Sequence, residues 1–309
     1  MKLIITGACG HIGSFVAEKI HKIPKIKETI LIDNVKHGQY SSLYNLKNKS
    51  KKKFFIRDLN DRNSLKDFNK IDYLIHCASL TDAAGSFKVK KEMYRNNINC
   101  FKTVIDFCKS KKVKLIHIST SSVYVKNSKT VDENCEKKYL KPKSPYAKIK
   151  LIEENLLKKE NKKIKYTTFR FGTISGISKG IRFHTAVNKF CLNASLNKNI
   201  GIYRTALHQY RPYLSVKDAF KIFKFCIEKD FFKNDIFNAL SGNFTVNQIL
   251  LKIKKIKKKI KVSYVDSEIM NQLSYHVDDS KLKRAGLNLN TKIDNDIKDT
   301  LNLFKYLKQ

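Results

Sequence analysis

Short apolar runs alternate with longer amphipathic stretches through the first half of the chain. Leu3-Ile4-Ile5-Thr6 suits a buried strand. It runs into a turn, Gly7-Ala8-Cys9-Gly10-His11-Ile12-Gly13, and then into a stretch whose Ile12, Phe15, Val16 and Ile20 fall near helical spacing. Further buried strands are predicted at 29–33, 54–56, 73–79 and 114–119. Between the last two, 90–111 reads as a long helix with Met93, Ile98, Phe101, Ile105 and Cys108 on one side. A helix from 145 to about 159 opens with Ser144 as N-cap and Pro145 in its first turn. Strand 165–176, a segment 182–190 leading into a helix, helix 216–229 and a short strand at 236–238 follow. The last helix, 294–308, carries Ile297, Leu301 and Phe304 at amphipathic spacing. Lys252 to Lys261 is the densest charge run; Ile253, Ile256 and Ile260 within it suit a solvated helix face after Thr245. Alternating βα units of this kind predict an α/β fold, a doubly wound parallel sheet with helices on both faces. Ligands then collect outside the carboxyl ends of the strands.

A chain of 309 residues suits a nucleotide domain plus a substrate-binding part. Composition changes that picture little. The 63 Lys and Arg against 27 Asp and Glu give a net charge of +36, but the excess is nearly all Lys and is spread along the whole chain. A dedicated nucleic-acid face clusters its charge and uses Arg. The expectation is weak polyanion binding at low salt and no specific nucleic-acid partner. Cys9, Cys77, Cys100, Cys108, Cys135, Cys191 and Cys226 are odd in number and dispersed, with no C-x-x-C. They point to a reducing, cytoplasmic compartment and to neither a disulfide framework nor a bound metal. The first strand begins at the second residue, so no signal peptide is expected, and no apolar run approaches membrane-spanning length.

The turn after the first strand carries the first chemistry. Gly7 permits a tight turn, Gly10 lets backbone approach a pyrophosphate, and Gly13 lets the helix pack on its strand. His11 and Ile12 share that helix N-terminus, whose unpaired N–H groups and positive dipole end face the phosphates. Asp33 ends the second strand twenty residues past Gly13, with Asn34 beside it. An acid there accepts from ribose hydroxyls and repels a 2′-phosphate, which favours NAD over NADP; Lys36 and His37 follow closely and blunt the preference. Asp58, beside Leu59, suits either the adenine amino group or a helix N-cap. Cys77, Ala78 and Ser79 are small enough for backbone to approach a cofactor or for tight packing, and Asn97 suits a buried polar anchor on the long helix. Ser119 to Tyr124 place hydroxyls after the fifth strand. Tyr146 and Lys150, at i and i+4, share a helix face. A cation beside a phenol lowers its pKa, so the phenol can take a proton from an alcohol near neutral pH.

T-G-x-x-G-x-x-G, an acid ending the second strand, a Ser/Thr cluster and Y-x-x-x-K stand here in that order. In this the chain resembles the extended short-chain dehydrogenase/reductase family, in particular its NAD-dependent epimerase/dehydratase branch acting on nucleotide sugars. The resemblance implies a Rossmann-type sheet with a smaller, interleaved C-terminal substrate domain. The NAD-binding domain would take 1–172 and 212–240, and the substrate domain 173–211 and 241–309. It implies Tyr146 as catalytic base, Lys150 as the cation that lowers its pKa and binds the nicotinamide ribose, and Thr120 as hydroxyl partner. Asn97 resembles the start of the family's N-V-x-G-T motif, with departures at Cys100 and Phe101. Arg170 to Gly176 resembles R-x-x-N-x-x-G with Thr173 in place of Asn, and 210–218 resembles R-P/D-Y-x-H-V-x-D with Ser215 in place of His. Arg182, His184 and Asn188 are substrate candidates; Arg211 is the candidate phosphate ligand, since a guanidinium binds diphosphate oxygens bidentately. Ser274, Tyr275 and His276 border the substrate or pack. A homodimer through two helices of the nucleotide domain is also implied.

The position after Thr120 bears on the reaction. Dehydratases of this family show T-D-E-V-Y and decarboxylases T-S-E-V-Y; here Ser121 and Ser122 stand there, with no carboxylate for β-elimination. The expectation is a nucleotide-sugar 4-epimerase, working through a keto-sugar. A reductase, dehydrogenase or dehydratase is the alternative, and a non-catalytic dinucleotide-binding protein the outside one.

Overall fold

The computed structural model describes residues 1–47, 50–81, 85–87, 89–124, 130–266 and 275–307. In chain order its first half runs β1 (Lys2–Thr6), α1 (His11–Lys19), β2 (Glu28–Asp33), β3 (Lys51–Ile56), β4 (Tyr73–His76), α2 (Lys90–Lys111), β5 (Lys114–Thr120) and α3 (Pro145–Lys159). There follow β6 (Tyr166–Phe171), β7 (Thr173–Ser175), α4 (Ala186–Ser195), β8 (Asn199–Tyr203), β9 (Tyr210–Ser215), α5 (Val216–Glu228) and β10 (Ile236–Ala239). The remainder is β11 (Gly242–Thr245), α6 (Val246–Ile256), β12 (Lys261–Val265), α7 (Ser280–Arg284) and α8 (Ile293–Asn302).

Seven strands form one parallel sheet in the order β10-β6-β5-β4-β1-β2-β3. Strand order reverses between β1 and β4, and a crevice opens at their carboxyl ends. Alternation along β1 assigns its two faces. Leu3 and Ile5 join α1 and α5 through Phe15, Val16, Ile20, Ile222 and Phe223. Ile4 joins α2 and α3 through Phe101, Val104, Cys108 and Leu157. Leu282 and Leu289, from the C-terminal part, reach back into the first of these cores. A separate core gathers α4, α6, α8 and β8. It lies beside a three-stranded sheet, β11-β9-β7, and the parallel pair β12-β8.

Two expectations change. The lysine-rich run is not one helix: α6 ends at Ile256, and β12 begins at Lys261 to pair with β8 from Lys261↔Asn199 onward. Ile253 is buried, while Ile256 is exposed. Spacing within the run could not reveal a partner strand some sixty residues earlier. The last helix also stops sooner, at Asn302, with Leu303 as C-cap; Lys308 lies outside the described residues. The predicted Ser144 cap holds, its Oγ accepting from Ala147 N–H at 3.2 Å; Thr245 with Gln248 forms a reciprocal capping box at the start of α6.

Candidate active site

The crevice at the β1–β4 switch is lined by the glycine turn and by the ends of β2, β3 and β4. Gly7 has φ +67°, and a Cβ on it would lie 2.6 Å from Ala78 N, so only glycine lets the two strand ends approach. A Cβ on Gly13 would lie 2.1 Å from Gly7 O, which fixes α1 against its own turn. Asp33 is held from both sides: Oδ2 accepts from Cys9 N–H and Oδ1 from Val35 N–H, each at 2.9 Å. Asn34, Asp58, Leu59, Cys77, Ala78 and Ser79 line the same crevice. Asp58 does not cap a helix. Its Oδ1 accepts from Asn60 N–H and Nδ2, and these bonds, against burial, hold its carboxyl below the usual range. Lys36 lines the crevice and is paired with Glu92 at 3.2 Å.

Two predicted cofactor residues lie behind the crevice. Asn97, 1% exposed, accepts from Leu80 N–H at 2.9 Å and donates to Leu80 O at 3.0 Å; it sets the loop after β4. His11 Nε2–H donates to Gly176 O at 2.9 Å. Burial pushes this imidazole down to about 4, so it stays neutral. That bond belongs to a seam between α1 and the 176–182 loop. Gly180 N–H donates to Ser14 Oγ at 2.9 Å, and a Cβ on Gly180 would meet Cys9 O at 2.2 Å.

The loop delivers Arg182 into the crevice at the β1–β4 switch, beside Gly10, where its guanidinium donates to Thr81 Oγ1 at 2.9 Å. The sequence reading grouped Arg182 with the substrate ligands; in the fold it shares its crevice with Gly7, Gly10 and Asp33. Asn188 is fully buried and committed to backbone, accepting from Gly176 N–H and donating to the carbonyls of Gly176 and Arg182. Its amide ties Gly176 to Arg182 across the loop. His184 is exposed.

The helix that carries Tyr146, α3, packs on the turn that follows β5 and holds the hydroxyl cluster. Thr120 Oγ1 accepts from Ser122 N–H at 3.2 Å; Ser121 is buried and Ser122 half-buried. Lys150 is 2% exposed and donates to Glu153 Oε2 at 2.8 Å, while His117 meets that oxygen at 3.0 Å. Burial works against this ammonium, but Glu153 and Tyr146 outweigh it and hold it above the usual lysine range. Tyr146 goes the other way from the sequence expectation. Burial pushes its phenol up and Glu153 adds to that, while Lys150 and Arg182 pull it down.

Beneath these groups Arg170 forms a two-point pair with Glu154, at 2.9 and 2.7 Å, and donates to Tyr124 OH at 2.9 Å. Tyr124 in turn donates to Asn238 Oδ1 at 2.7 Å, which ties the ends of β5, β6 and β10. Across the crevice, Thr173 stands opposite Tyr213 in the β7–β9 pair. Arg211 donates to Gln209 Oε1 and lies 5.3 Å from the Tyr275 ring. His276 stacks near Tyr210, with ring centres 4.1 Å apart. Ser215, in the place of the family's His, donates to Asp296 Oδ1, whose Oδ2 accepts from Ser175 Oγ at 2.6 Å. Ser274 lies outside the described residues. Sequence reasoning missed Glu153, His117, Thr81 and Asp296. Of these only Glu153 left a local signal, an acid three residues after Lys150 on a helix.

Comparison with known proteins follows the same lines. The model of the NAD dependent epimerase/dehydratase family matches residues 3–239. An ADP-L-glycero-D-manno-heptose-6-epimerase of Brachyspira hyodysenteriae is 24% identical over 281 residues, 85% of this chain and 83% of that protein. A dTDP-D-glucose 4,6-dehydratase of Dictyostelium discoideum is 28% identical over 246 residues, 74% of this chain; the match spans only 56% of that protein. Among solved structures, the UDP-N-acetylglucosamine 4-epimerase of Methanobrevibacter ruminantium, in complex with UDP-N-acetylmuramic acid, superposes with a TM-score of 0.85 at 26% identity. That superposition covers 98% of this chain and 97% of the other.

Proposed function

Since the chain belongs to the NAD dependent epimerase/dehydratase family, we propose that it is a nucleotide-sugar 4-epimerase. The observation that carries the choice is the turn after β5. Thr120, Ser121 and Ser122 offer hydroxyls there and no carboxylate, so deprotonation next to a keto carbon has no base on that turn. The carboxylates of α3 are spoken for, Glu153 by Lys150 and Glu154 by Arg170.

The crevice fits NAD. The Gly7 approach to Ala78 leaves backbone rather than side chains at the switch point, and the Asp33 carboxylate is fixed at the end of β2. Gly7, Gly10, Ile12, Asp33, Asn34, Asp58, Leu59, Cys77, Ala78 and Ser79 would hold it, with Tyr146 and Lys150 at its nicotinamide end. Bound NAD supplies the hydride acceptor and donor. Tyr146 takes the sugar hydroxyl proton and returns it; Thr120 holds the sugar oxygen; the Lys150 ammonium stabilises the phenolate. Arg182 serves the cofactor diphosphate and Arg211, over Tyr275, the diphosphate of the substrate. The protein works as a homodimer in this reading, with the two domains divided near 172, 212 and 240.

Incubation with NAD and a panel of nucleotide sugars in heavy water, read by mass spectrometry and NMR, tests the proposal. An isomer without carbon-bound deuterium supports it. Loss of water, or deuterium beside a carbonyl, overturns it in favour of elimination or enolisation. Net change of absorbance at the reduced-nicotinamide band means a dehydrogenase or reductase. Tyr146→Phe loses about two to four orders of magnitude in kcat if the phenol is the proton carrier; a variant that keeps full turnover refutes that role.

A further inference from the structure

Lys150 and Glu153 stand one helical turn apart on α3, both 1–2% exposed, joined at 2.8 Å. The Glu153 oxygen that Lys150 uses, Oε2, also meets His117 Nε2 at 3.0 Å, and His117 Nδ1 meets Thr168 Oγ1 at 3.1 Å. One proton arrangement satisfies every partner: Nε2–H donates to the carboxylate, and Nδ1 accepts from the threonine hydroxyl. We propose that Glu153, oriented by His117, is a positioning residue that anchors the Lys150 ammonium and sets how strongly that ammonium acts on Tyr146. The inference rests on the role given to Tyr146 and Lys150 above.

The energetics favour an anchor over a stabilising pair. A buried ammonium with no counter-charge loses its proton, whereas a paired one keeps it. Glu153 therefore keeps Lys150 charged. The same carboxylate partly cancels the ammonium's field at Tyr146, so the phenol stays protonated near neutral pH until a further positive charge comes beside it. The other ionisable neighbours do not compete. At the end of β4, burial pushes His76 down to about 3 and, just past it, the Cys77 thiol up to about 12; on α2, burial pushes Cys100 up to about 12. Glu154 is locked to Arg170, and Arg182 acts on Tyr146 from the cofactor side. Glu153 is thus the one neighbour among the described residues whose charge bears on both Lys150 and Tyr146 and is not held by an arginine.

The test needs no sugar. Tyrosine labelled at Cζ and lysine labelled at Cε with carbon-13 are titrated by NMR, with Y146F and K150M assigning the signals. In E153Q the first proton lost from the Tyr146–Lys150 pair leaves about one pH unit or more lower than in the wild type, and E153D restores most of the difference. Unmoved curves in a folded E153Q overturn the proposal. Should E153Q not fold, nitrogen-15 spectra of the unaltered protein decide: His117 must remain the neutral Nε2–H form from pH 5 to 8 (roughly the span in which an ordinary histidine titrates). A His117 that titrates there, or carries its proton on Nδ1, overturns the arrangement. A shifted pair in a protein that turns over no nucleotide sugar removes the proposed reaction and leaves the role of Glu153 standing.

Discussion

Arg182 and Arg211 carry the same charge to two different places. Arg182 stands at the glycine turn and Arg211 over the Tyr275 ring. Replacing Arg182 with Ala is expected to weaken NAD binding about ten- to a hundredfold, following the loss of a charge-assisted contact. Replacing Arg211 with Ala is expected to raise KM for the nucleotide sugar and leave NAD affinity unchanged. Isothermal titration with NAD and steady-state kinetics separate the two, and equal effects of both variants on NAD would contradict the assignment. The sequence offered both arginines as substrate ligands; the place of Arg182 at the glycine turn was hidden because His11 and Ser14, more than 160 residues earlier, position the 176–182 loop. His11 carries its own pH signature. Its folded-state value of about 4 lies below the ordinary 6.5, so the unfolded chain binds the extra proton. The stability this gives is complete above about pH 6.5 and falls, by up to ~1.4 kcal/mol per pH unit, as pH drops toward 4. His76, pushed down to about 3, adds a slope of the same sign. Urea unfolding between pH 7 and 4 should lose one proton's worth of that slope in His11→Asn.

At the scale of elements, what was legible was whatever depends on neighbours in the chain. The Gly7–Gly13 turn, the span of α2 and the Ser144 cap on α3 follow from spacing and capping chemistry, and the structure has them where the pattern puts them. The boundary between α6 and β12 was hidden, since Ile253, Ile256 and Ile260 suit a helix until β8 offers a pairing edge. Asn188 meets a similar limit: a polar residue at the start of a helix reads as available, and in the fold its amide is bonded to backbone groups of Gly176 and Arg182. Asn188→Ala strands those backbone groups and is expected to cost about 1–3 kcal/mol. Chemical denaturation reads that loss, and the accompanying fall in NAD affinity reports on Arg182; an unchanged NAD affinity would mean the loop holds without the amide.

Across the whole molecule, a net charge of +36 sits on a sheet and crevice built for a small anionic ligand. Lysines on nearly every exposed stretch predict retention on heparin at low salt and release at physiological salt, without preference for any nucleic-acid sequence. Binding that survives physiological salt would restore the nucleic-acid reading. Among the described residues no helix is long and apolar enough to cross a membrane. Sedimentation should find twice the monomer mass if the dimer forms. That the lysines are spread along the chain needs no fold to be seen. The joining of the two halves did need one. Leu282 and Leu289 close the same core as Leu3 and Ile5. During synthesis, then, the first strand and the helix that packs on it leave the ribosome long before the last members of their core, Leu282 and Leu289, exist. Nascent chains stopped short of Leu282 leave that core incomplete, and would depend on a chaperone until that stretch arrives.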